Sequence, residues 1–321
     1  MEIVAADIGG THARFALAEV ENGRVVKLGE PCTQKTAEHA SLQTAWQAFA
    51  AHVGRPLPNA ASLAIASPIT SDVIRMTNNP WVIRPSLIPE RLGADTYTVI
   101  NDFGAIGHAV AQVPEEDFLH ICGPEEPIPE QGVVTVCGPG TGLGVAQVLM
   151  TPQRYHVIET EGGHMDYAPL DGIEDAILKR LRRTFTRVSC ERICSGPGII
   201  AIYETLASLE GRAVPSRDDR EIWTEALEGT DSIALAALDR FCLALGAVAG
   251  DFALAQGAKT VVIAGGLGYR IKDKLLRSGF DQRFMAKGRF QSLMAKIPVK
   301  LITHPQPGLF GAAAAFAQEH T

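Results

Sequence analysis

The residues best suited to bind an anion lie near the start of the chain, where Asp-Ile-Gly-Gly-Thr occupies positions 7–11 and Arg14 follows. Apolar residues precede this segment and alternate with small residues after it, which predicts a β-hairpin with the glycines at its turn. Glycines let a ligand approach the backbone, and successive N–H groups in such a turn form a concave anion site. The candidate ligands are Ala6, Asp7, Ile8, Gly9, Gly10, Thr11 and Arg14.

A second glycine-rich segment, at 138–144, stands between the apolar runs 133–137 and 145–149 and predicts another hairpin. Neither segment follows the dinucleotide or Walker pattern, in which a strand runs into a helix. An ordinary tight turn is the alternative interpretation of either hairpin taken alone. Two of them suggest a duplicated domain that holds one polyphosphate between its halves. The second hairpin would contribute Gly138, Gly140, Thr141 and Gly142.

These segments resemble the actin-like sugar kinases, and more closely the bacterial ATP-dependent glucokinases. A glycine pair at 265–266, which follows an apolar run, adds to the resemblance. Further segments match the sugar-side motifs of that family, occur in its order and span nearly the whole chain. They stand at 64–70, 100–103, 161–164, 190–192 and 195–198.

The resemblance implies an α/β protein with the duplicated actin-like ATPase (ribonuclease H-like) fold, in which two domains flank a central cleft. A small α/β domain would comprise residues 1–112 and 303–321, and a large α/β domain residues 113–302. The implied reaction transfers the γ-phosphoryl group of ATP to D-glucose, forms glucose 6-phosphate and uses Mg²⁺. Such a transfer depends mainly on positioning and charge stabilisation. We expect the domains to close on glucose before the catalytic site is complete, which protects ATP from water.

The implied general base is Asp102, which follows a predicted strand at 97–100 and stands beside Asn101. Ligands of open α/β sheets bind at the carboxyl ends of the strands, which is where Asp102 stands. The alternative is a structural role for Asp102 in an Asx turn at the end of the strand. The resemblance also implies a ring of polar side chains around the hydroxyl groups of glucose, because carboxylates accept hydrogen bonds while amide and imidazole groups add donors. These side chains are Asn101, Asp102, Glu161, His164, Glu191, Ser67 and Asn78.

Three assignments stay open between a functional and a structural role. Asp7 is expected to hold Mg²⁺ through water, because Mg²⁺ keeps several waters, or else to cap the turn. Arg14 either steadies a phosphate or holds Asp7 in an ion pair. Gly265 and Gly266 lie where the family binds adenosine, but they equally suit a strand-to-helix turn.

The composition limits the class of protein. The chain has 321 residues, 46% of them hydrophobic, which favours two domains. Its net charge of −7 argues against nucleic-acid or anionic-membrane partners.

Six scattered cysteines without a C-x-x-C pair indicate reduced thiols and a cytoplasmic location, and a zinc site of Cys190, Cys194 and His164 is disfavoured. We expect no targeting signal, and the apolar stretch at 241–250 is too short to span a membrane. The family expectation is a homodimer.

Periodicity and capping signals predict the elements that position these motifs. Helices are expected at 38–53, 104–113, 171–185, 198–209 and 308–318, together with a long buried helix that Asp231 caps and Gly257 ends. Strands are expected at 62–66, 97–100, 155–158, 260–264 and 297–302. The segments 114–131 and 215–220 are expected to be surface loops.

Two other functions compete with glucose phosphorylation. A kinase for another hexose or an N-acyl hexosamine is disfavoured, because the cysteine cluster that a related repressor-and-kinase sugar family carries after its Gly-His is missing here. A non-catalytic actin-like ATPase or sugar sensor is disfavoured, because sugar-type motifs alternate with phosphate-type hairpins along the chain.

Overall fold

The computed structural model describes residues 1–76 and 79–321, so the candidate sugar ligand Asn78 lies outside the described residues. The strands are β1 (Glu2–Ile8), β2 (His12–Glu21), β3 (Arg24–Leu28), β4 (Cys32–Lys35), β5 (Ala60–Ile65), β6 (Ile74–Arg75), β7 (Val82–Ile83), β8 (Thr96–Asn101), β9 (Phe118–Cys122), β10 (Gly132–Pro139), β11 (Leu143–Met150), β12 (Tyr155–Thr160), β13 (Ala258–Ile263) and β14 (Val299–Ile302). The helices are α1 (Leu42–Val53), α2 (Ile88–Leu92), α3 (Asp102–Gln112), α4 (Gly172–Leu181), α5 (Gly198–Leu209), α6 (Asp219–Glu228), α7 (Ser232–Gln256), α8 (Gly265–Arg270), α9 (Lys272–Leu275), α10 (Phe280–Met285), α11 (Gln291–Met294) and α12 (Pro307–His320).

The chain forms two compact units. The first unit contains Met1–Pro114, Val157–Glu159 and His304–Thr321. The second unit contains Glu115–His156 and Thr160–Thr303. The domain boundaries implied by the resemblance, 1–112 with 303–321 against 113–302, stay a prediction.

The first unit is built on a sheet in the order β3-β2-β1-β5-β8, in which β4 also pairs with β2. Strand β1 is antiparallel to β2 and parallel to β5, and β5 is parallel to β8. Successive side chains of β1 alternate between the faces of the sheet: Ile3 and Ala5 pack with α12, whereas Val4, Ala6 and Ile8 pack with α1. Helices therefore cover both faces, and the carboxyl ends of the parallel strands are where a ligand can bind.

The second unit repeats this arrangement in a sheet of order β12-β11-β10-β13-β14-β9. Strand β10 is antiparallel to β11 and parallel to β13, and β13 is parallel to β14. In the first unit, β1 has the same relations with β2 and β5, and β5 has the same relation with β8. The repeat confirms the predicted duplication and the α/β class.

Helix α7 lies in the core of the second unit. Asp231 caps it, with one carboxylate oxygen accepting from the N–H groups of Ile233 and Ala234, and Gly257 ends it in a left-handed conformation. The predicted limits of the helix are confirmed. The helix has 25 residues and contains a window with a mean hydropathy of 1.7, so it is long and apolar enough to cross a membrane by length and composition. The apolar stretch at 241–250 is only part of this helix. Because 72% of the apolar window is buried inside the protein, α7 has the character of a core helix.

Several predicted boundaries of other helices and loops are wrong. Strand β9 lies in the segment expected to be a loop and pairs with β14, and α6 begins where the polar loop 215–220 was expected to continue. Asp218 starts α6 by accepting a hydrogen bond from the N–H of Glu221. Helix α1 begins at residue 42 rather than 38, because Ser41 forms a capping box with Thr44. Helix α4 ends at residue 181, four residues before its expected end.

Candidate active site

Two side-chain interactions stabilise the turn of the first hairpin. Asp7 and Arg14 are opposite each other in the β1–β2 register, and Arg14 Nη1 lies 3.3 Å from Asp7 Oδ2. Thr36 Oγ1 donates a hydrogen bond to the carbonyl oxygen of Gly10 over 2.7 Å. The ion pair is therefore present as one of the two roles considered for Arg14, and a contact with phosphate stays a prediction.

The carboxylate of Asp7 occupies a narrow space. Its side chain is 21% exposed, and a Cβ atom at Gly308, in the first turn of α12, would stand 2.7 Å from Asp7 Oδ2. Any residue larger than glycine at position 308 would displace the carboxylate of Asp7. Burial raises the pKa of the Asp7 carboxyl above its ordinary value, and the guanidinium of Arg14 offsets part of this effect.

Asn101 and Asp102 lie at the carboxyl edge of the sheet that carries the first hairpin. In the register of the parallel strands, Ile8 is opposite Ile65, and Ile65 is opposite Asn101. Two strand spacings, about 10 Å, therefore separate the backbones of Ile8 and Asn101. This edge brings the glycine turn and the predicted general base together within one unit.

Asn101 is held in one orientation by the backbone around it. Its Oδ1 accepts a hydrogen bond from the N–H of Phe103 over 2.8 Å and so caps α3, while its Nδ2 donates to the carbonyl oxygen of Ser67 over 3.2 Å. The hydroxyl group of Ser67 donates in turn to the carbonyl oxygen of Arg75. The side chain of Ser67 is thus turned to its own loop in this structure.

Asp102 is the first residue of α3 and is half-buried. Its Oδ1 accepts a hydrogen bond from the N–H of Phe103 over 3.0 Å. The first turn of a helix is a favourable position for a negatively charged side chain. The Asx-type cap expected as an alternative is present, but Asn101 forms it.

Glu159 supports this edge and was missed in the sequence analysis. Its Oε1 accepts a hydrogen bond from the N–H of Asn101 over 2.8 Å. A Cβ atom at Gly104 would stand 2.3 Å from the same oxygen, so glycine at that position makes room for the carboxylate. A glycine inside a predicted helix was the available signal, but it does not say which side chain needs the space.

The turn of the second hairpin is contacted by glycines from distant motifs. Gly196 donates its N–H to the carbonyl oxygen of Gly140 over 2.7 Å. Gly265 has a φ of +83°, and a Cβ atom there would stand 2.8 Å from the carbonyl oxygen of Pro139. Helix α8 begins at Gly265, so the strand-to-helix turn considered for this glycine pair is present, and adenosine binding stays a prediction.

The predicted sugar ligands of the second unit lie next to the same turn. A short 3₁₀ segment, Gly162–His164, follows the exposed residue Glu161. His164 Nε2 lies 4.0 Å from Glu191 Oε1, and the His164 side chain is 57% exposed against 26% for Glu191. Glu191 Oε2 accepts a hydrogen bond from the N–H of Leu143 over 2.9 Å. The unit therefore brings Glu191 and His164 together beside the turn of the second hairpin.

Arg187 attaches the His164 segment to the segment before Glu191, and it too was missed. Its Nη2 donates to the carbonyl oxygen of His164 over 2.7 Å, and its Nε lies 2.5 Å from a carboxylate oxygen of Asp166. The N–H of Cys190 donates to the carbonyl oxygen of Met165 over 2.8 Å. No signal in the sequence marks an exposed arginine as the support of a loop.

The thiols near this loop are neutral at pH 7. Burial raises the pKa of Cys190 to about 12 and raises that of Cys194 well above its ordinary value. Within residues 1–76 and 79–321, there is no group of three or more His, Cys, Asp or Glu side chains placed to hold a metal ion.

Comparison with known proteins places these features in a family. A model of the Glucokinase family matches residues 4–319. The chain belongs to the glucokinase family. A glucokinase of Zymomonas mobilis is 62% identical over 321 residues, covering 100% of this chain and 99% of that protein. The glucokinase of Photorhabdus laumondii is 38% identical, covering 98% of this chain and 97% of its own length.

Solved structures agree with the glucokinase assignment. The crystal structure of a glucokinase from an Antarctic psychrotroph has a TM-score of 0.86 and 34% identity, covering 98% of both chains. A ROK family glucokinase from Streptomyces griseus, solved with glucose and AMPPNP, has a TM-score of 0.62 and 17% identity, covering 98% of both chains. The second likeness concerns the fold alone. The predicted resemblance and the actin-like ATPase fold are confirmed.

The structure groups the predicted site residues within each glucokinase unit. In the first unit, Asp7 and Arg14 flank the glycine turn with Thr11, and Asn101 ends β8 of the same sheet. Ser67 follows β5 of that sheet, and Asp102 follows β8. The side chains of Ala6 and Ile8 are fully buried in the core, which leaves only their backbones for a ligand. In the second unit, Glu191 and Gly265 contact the 138–144 turn.

Proposed function

We propose that the chain transfers the γ-phosphoryl group of ATP to the 6-hydroxyl group of D-glucose, with Asp102 as the general base. The observation that carries the proposal is the carboxyl edge of the first sheet, in a chain of the glucokinase family. There Asp102 follows Asn101, whose backbone is about 10 Å from that of Ile8, the residue before the glycine turn. The Zymomonas mobilis relative is named a glucokinase, and the Streptomyces griseus structure contains glucose with an ATP analogue. Both findings support glucose and ATP as the substrates.

In the proposed reaction Asp102 accepts the proton of the 6-hydroxyl group as O6 attacks the γ-phosphorus. A bond forms between O6 and phosphorus, the bond from phosphorus to the bridging oxygen breaks, and ADP leaves. Asp102 lies in the first turn of α3, where the helix dipole stabilises a negative charge. Asn101 orients the neighbouring backbone through its cap and its bond to Ser67. A positioned base typically contributes about 10²–10⁴-fold to the rate.

We propose that the hydroxyl groups of glucose are bound by polar side chains from the motifs that resemble the sugar side of the family. Carboxylates of Asp102, Glu161 and Glu191 accept hydrogen bonds, and Asn101 and His164 can donate them. Two further candidates, Ser67 and Asn78, complete the proposed set. Buried polar groups left without partners would strongly disfavour a sugar that lacks the matching hydroxyl.

We propose that the two glycine turns bind the phosphates of ATP through backbone N–H groups and the hydroxyl groups of Thr11 and Thr141. Arg14 supplies positive charge to the first turn. Gly265 comes close to the second turn and Gly266 follows it in the chain, which supports their proposed role beside adenosine. The remaining proposed phosphate ligands are Ala6, Asp7, Ile8, Gly9, Gly10, Gly138, Gly140 and Gly142.

The residues near the first turn suit a hydrated Mg²⁺ carried by ATP. Asp7 is a partly exposed carboxylate, but it is the one acid within residues 7–14 and is already paired with Arg14. Mg²⁺ keeps several waters and is usually held by one or two carboxylates together with phosphates, so Asp7 would hold it through water. When bound, the ion supplies charge neutralisation at the phosphates.

The cellular setting follows from the same proposal. We propose a cytoplasmic homodimer that supplies glucose 6-phosphate to glycolysis and has neither nucleic acid nor a membrane as partner. The net charge of −7 and the buried position of α7 support these statements. Light scattering coupled to size-exclusion chromatography tests the dimer.

The function is tested by measuring ADP release from ATP with a panel of sugars that contains glucose, mannose, fructose and two N-acyl hexosamines. We expect glucose to give by far the highest kcat/KM, with Mg²⁺ required. A preference for another sugar would support the competing sugar-kinase function. ADP release that ignores every sugar would support an actin-like ATPase and contradict the proposal.

A further inference from the structure

The phosphate turn and the sugar side of the second unit are joined by one carboxylate. Glu191 Oε2 accepts the hydrogen bond from the N–H of Leu143, which is part of the turn, over 2.9 Å. The other oxygen, Oε1, lies 4.0 Å from His164 Nε2, on the side assigned to the sugar. A single side chain therefore has one oxygen for the turn and one for a sugar hydroxyl group.

Two glycines make this close contact possible. A Cβ atom at Gly142 would stand 2.4 Å from Glu191 Oε2, where the hydrogen bond to Leu143 is made. A Cβ atom at Gly163, from the sugar-side motif, would stand 2.0 Å from the carbonyl oxygen of Leu143. The backbone of Leu143 is thus contacted on its N–H side by one sugar-side motif and on its carbonyl side by another.

We infer that Glu191 is a positioning residue for the phosphate turn as well as a sugar ligand, and that it couples glucose binding to nucleotide binding inside the second unit. This inference rests on the proposed function, which supplies the two ligands. A glucose hydroxyl that donates to Oε1 holds the carboxylate in the rotamer in which Oε2 accepts from Leu143. The turn is then already ordered when the phosphates arrive, and less conformational entropy is lost.

The coupling is measured by equilibrium titration of glucose with and without a saturating, non-hydrolysable ATP analogue in the presence of Mg²⁺. The ratio of the two dissociation constants is the coupling factor, and titration of the analogue with and without glucose must give the same value. We expect the unchanged protein to show a factor of about 5 or more. We expect Gly142→Ala to bring it to within about 2-fold of unity, because the added methyl displaces Glu191 Oε2.

Gly140→Ala is the matched control. It adds a methyl to the same turn, but a Cβ atom there meets no atom within 4 Å, and neither glycine has a φ in the left-handed region. We expect its coupling factor to equal that of the unchanged protein, whatever happens to its affinity for the nucleotide. A factor of one in the unchanged protein, an undiminished factor in Gly142→Ala, or an equal loss in both variants would overturn the inference.

A second pair of variants keeps the test independent of the folding of Gly142→Ala. Glu191→Ala removes the acceptor of the Leu143 N–H, whereas His164→Ala removes a sugar-side group that makes no hydrogen bond to the turn within the described residues. Without glucose, we expect the first variant to bind the analogue at least about 3-fold more weakly and the second to bind it normally. Equal affinities in both variants would contradict the inference. Failure of the proposed function shows separately, as an unchanged protein that does not release ADP with glucose.

Discussion

The two hairpins share a topology and differ in what surrounds their turns. The first turn has charged groups beside it: Asp7 and Arg14 form an ion pair across the strands, and Gly308 leaves room for the carboxylate. The second turn is surrounded by backbone and glycines, and the carboxylate that reaches it, Glu191, comes from another segment and binds a backbone N–H. The first copy of the duplicated hairpin thus has charged side chains at its turn, whereas the second copy has close backbone contacts there.

This difference suggests a division of labour between the copies. A carboxylate placed within the first strand can act on phosphate-bound Mg²⁺ or on a proton. The second turn, which is surrounded by backbone N–H groups and glycines, would position a ligand. A change in the side chains that contact this turn can alter that position. We therefore expect changes near the first turn to affect mainly turnover, and changes near the second to affect mainly binding.

The largest effect is expected for Asp102, which directly follows β8 in the sheet of the first hairpin. Replacement Asp102→Asn removes the proton acceptor and should lower kcat by at least about 100-fold while glucose binding is largely kept. Steady-state kinetics and a glucose titration measure the two quantities. Asp95→Asn, which removes one exposed charge before the same strand β8, is the control and should behave as the unchanged protein. Near-normal turnover of Asp102→Asn would show that the base is misassigned.

A smaller effect is expected for Gly308. A methyl group at this position would press on the carboxylate of Asp7, so Gly308→Ala should lower kcat by about 10-fold with little change in glucose affinity. Because alanine favours helices, the thermal stability of the variant need not fall with its activity. Gly172→Ala adds a methyl to the first turn of α4, where a Cβ atom meets nothing within 4 Å, and serves as the control. Equal activities of the two variants would contradict the role given to the Asp7 position.

Near the second turn we expect Arg187 to affect binding. Arg187→Ala removes the hydrogen bond to the His164 carbonyl and should raise the KM for glucose by about 5-fold with kcat nearly unchanged. Arg183→Ala removes an exposed arginine elsewhere in the same unit and is the control. A fall in kcat without a change in KM would break the proposed division between the two hairpins.

The smallest effect concerns pH and stability at the first turn. Burial raises the pKa of Asp7 in the folded state, so the folded protein holds this proton to higher pH than the unfolded chain does. The stability associated with the carboxyl is fully present below its unfolded pKa, about 4, and is lost as the pH rises through the folded pKa. Asparagine cannot ionise, so Asp7→Asn should gain about 1–3 °C in Tm at pH 8 and nothing at pH 4.

Melting curves at the two pH values decide the sign, with Asp95→Asn as the control for removal of one charge. A loss of stability at pH 8 would mean that the pair with Arg14 outweighs the cost of burial. The first hairpin would then resemble the second, in that its carboxylate would serve the structure of the turn.

Local sequence signals correctly predicted the helices and hairpins whose ends are marked by capping residues or turn glycines. The cap at Asp231 and the stop at Gly257 predicted α7 correctly, because capping groups satisfy the helix ends whatever lies around them. Both hairpins were predictable because glycine turns between apolar runs need no distant partner. Strand β9 was missed because its pairing with β14 joins segments far apart in the chain.

The candidate site divides in the same way. Motif residues such as Asp7, Asn101 and Asp102 could be identified because neighbouring residues form a recognisable pattern. Glu159, Arg187 and Gly308 could not, since each acts on a residue distant in sequence and has no pattern around it. Their importance appears only when the contact is seen.

The sequence alone determined the two glycine hairpins, the long core helix and the family, because each depends on the order of neighbouring residues and on their local propensities. The tertiary structure decided that Gly308 faces Asp7 and that Glu191 reaches the N–H of Leu143. Such contacts depend on how distant segments pack. A residue's type restricts what it can do there but does not say which group it will meet.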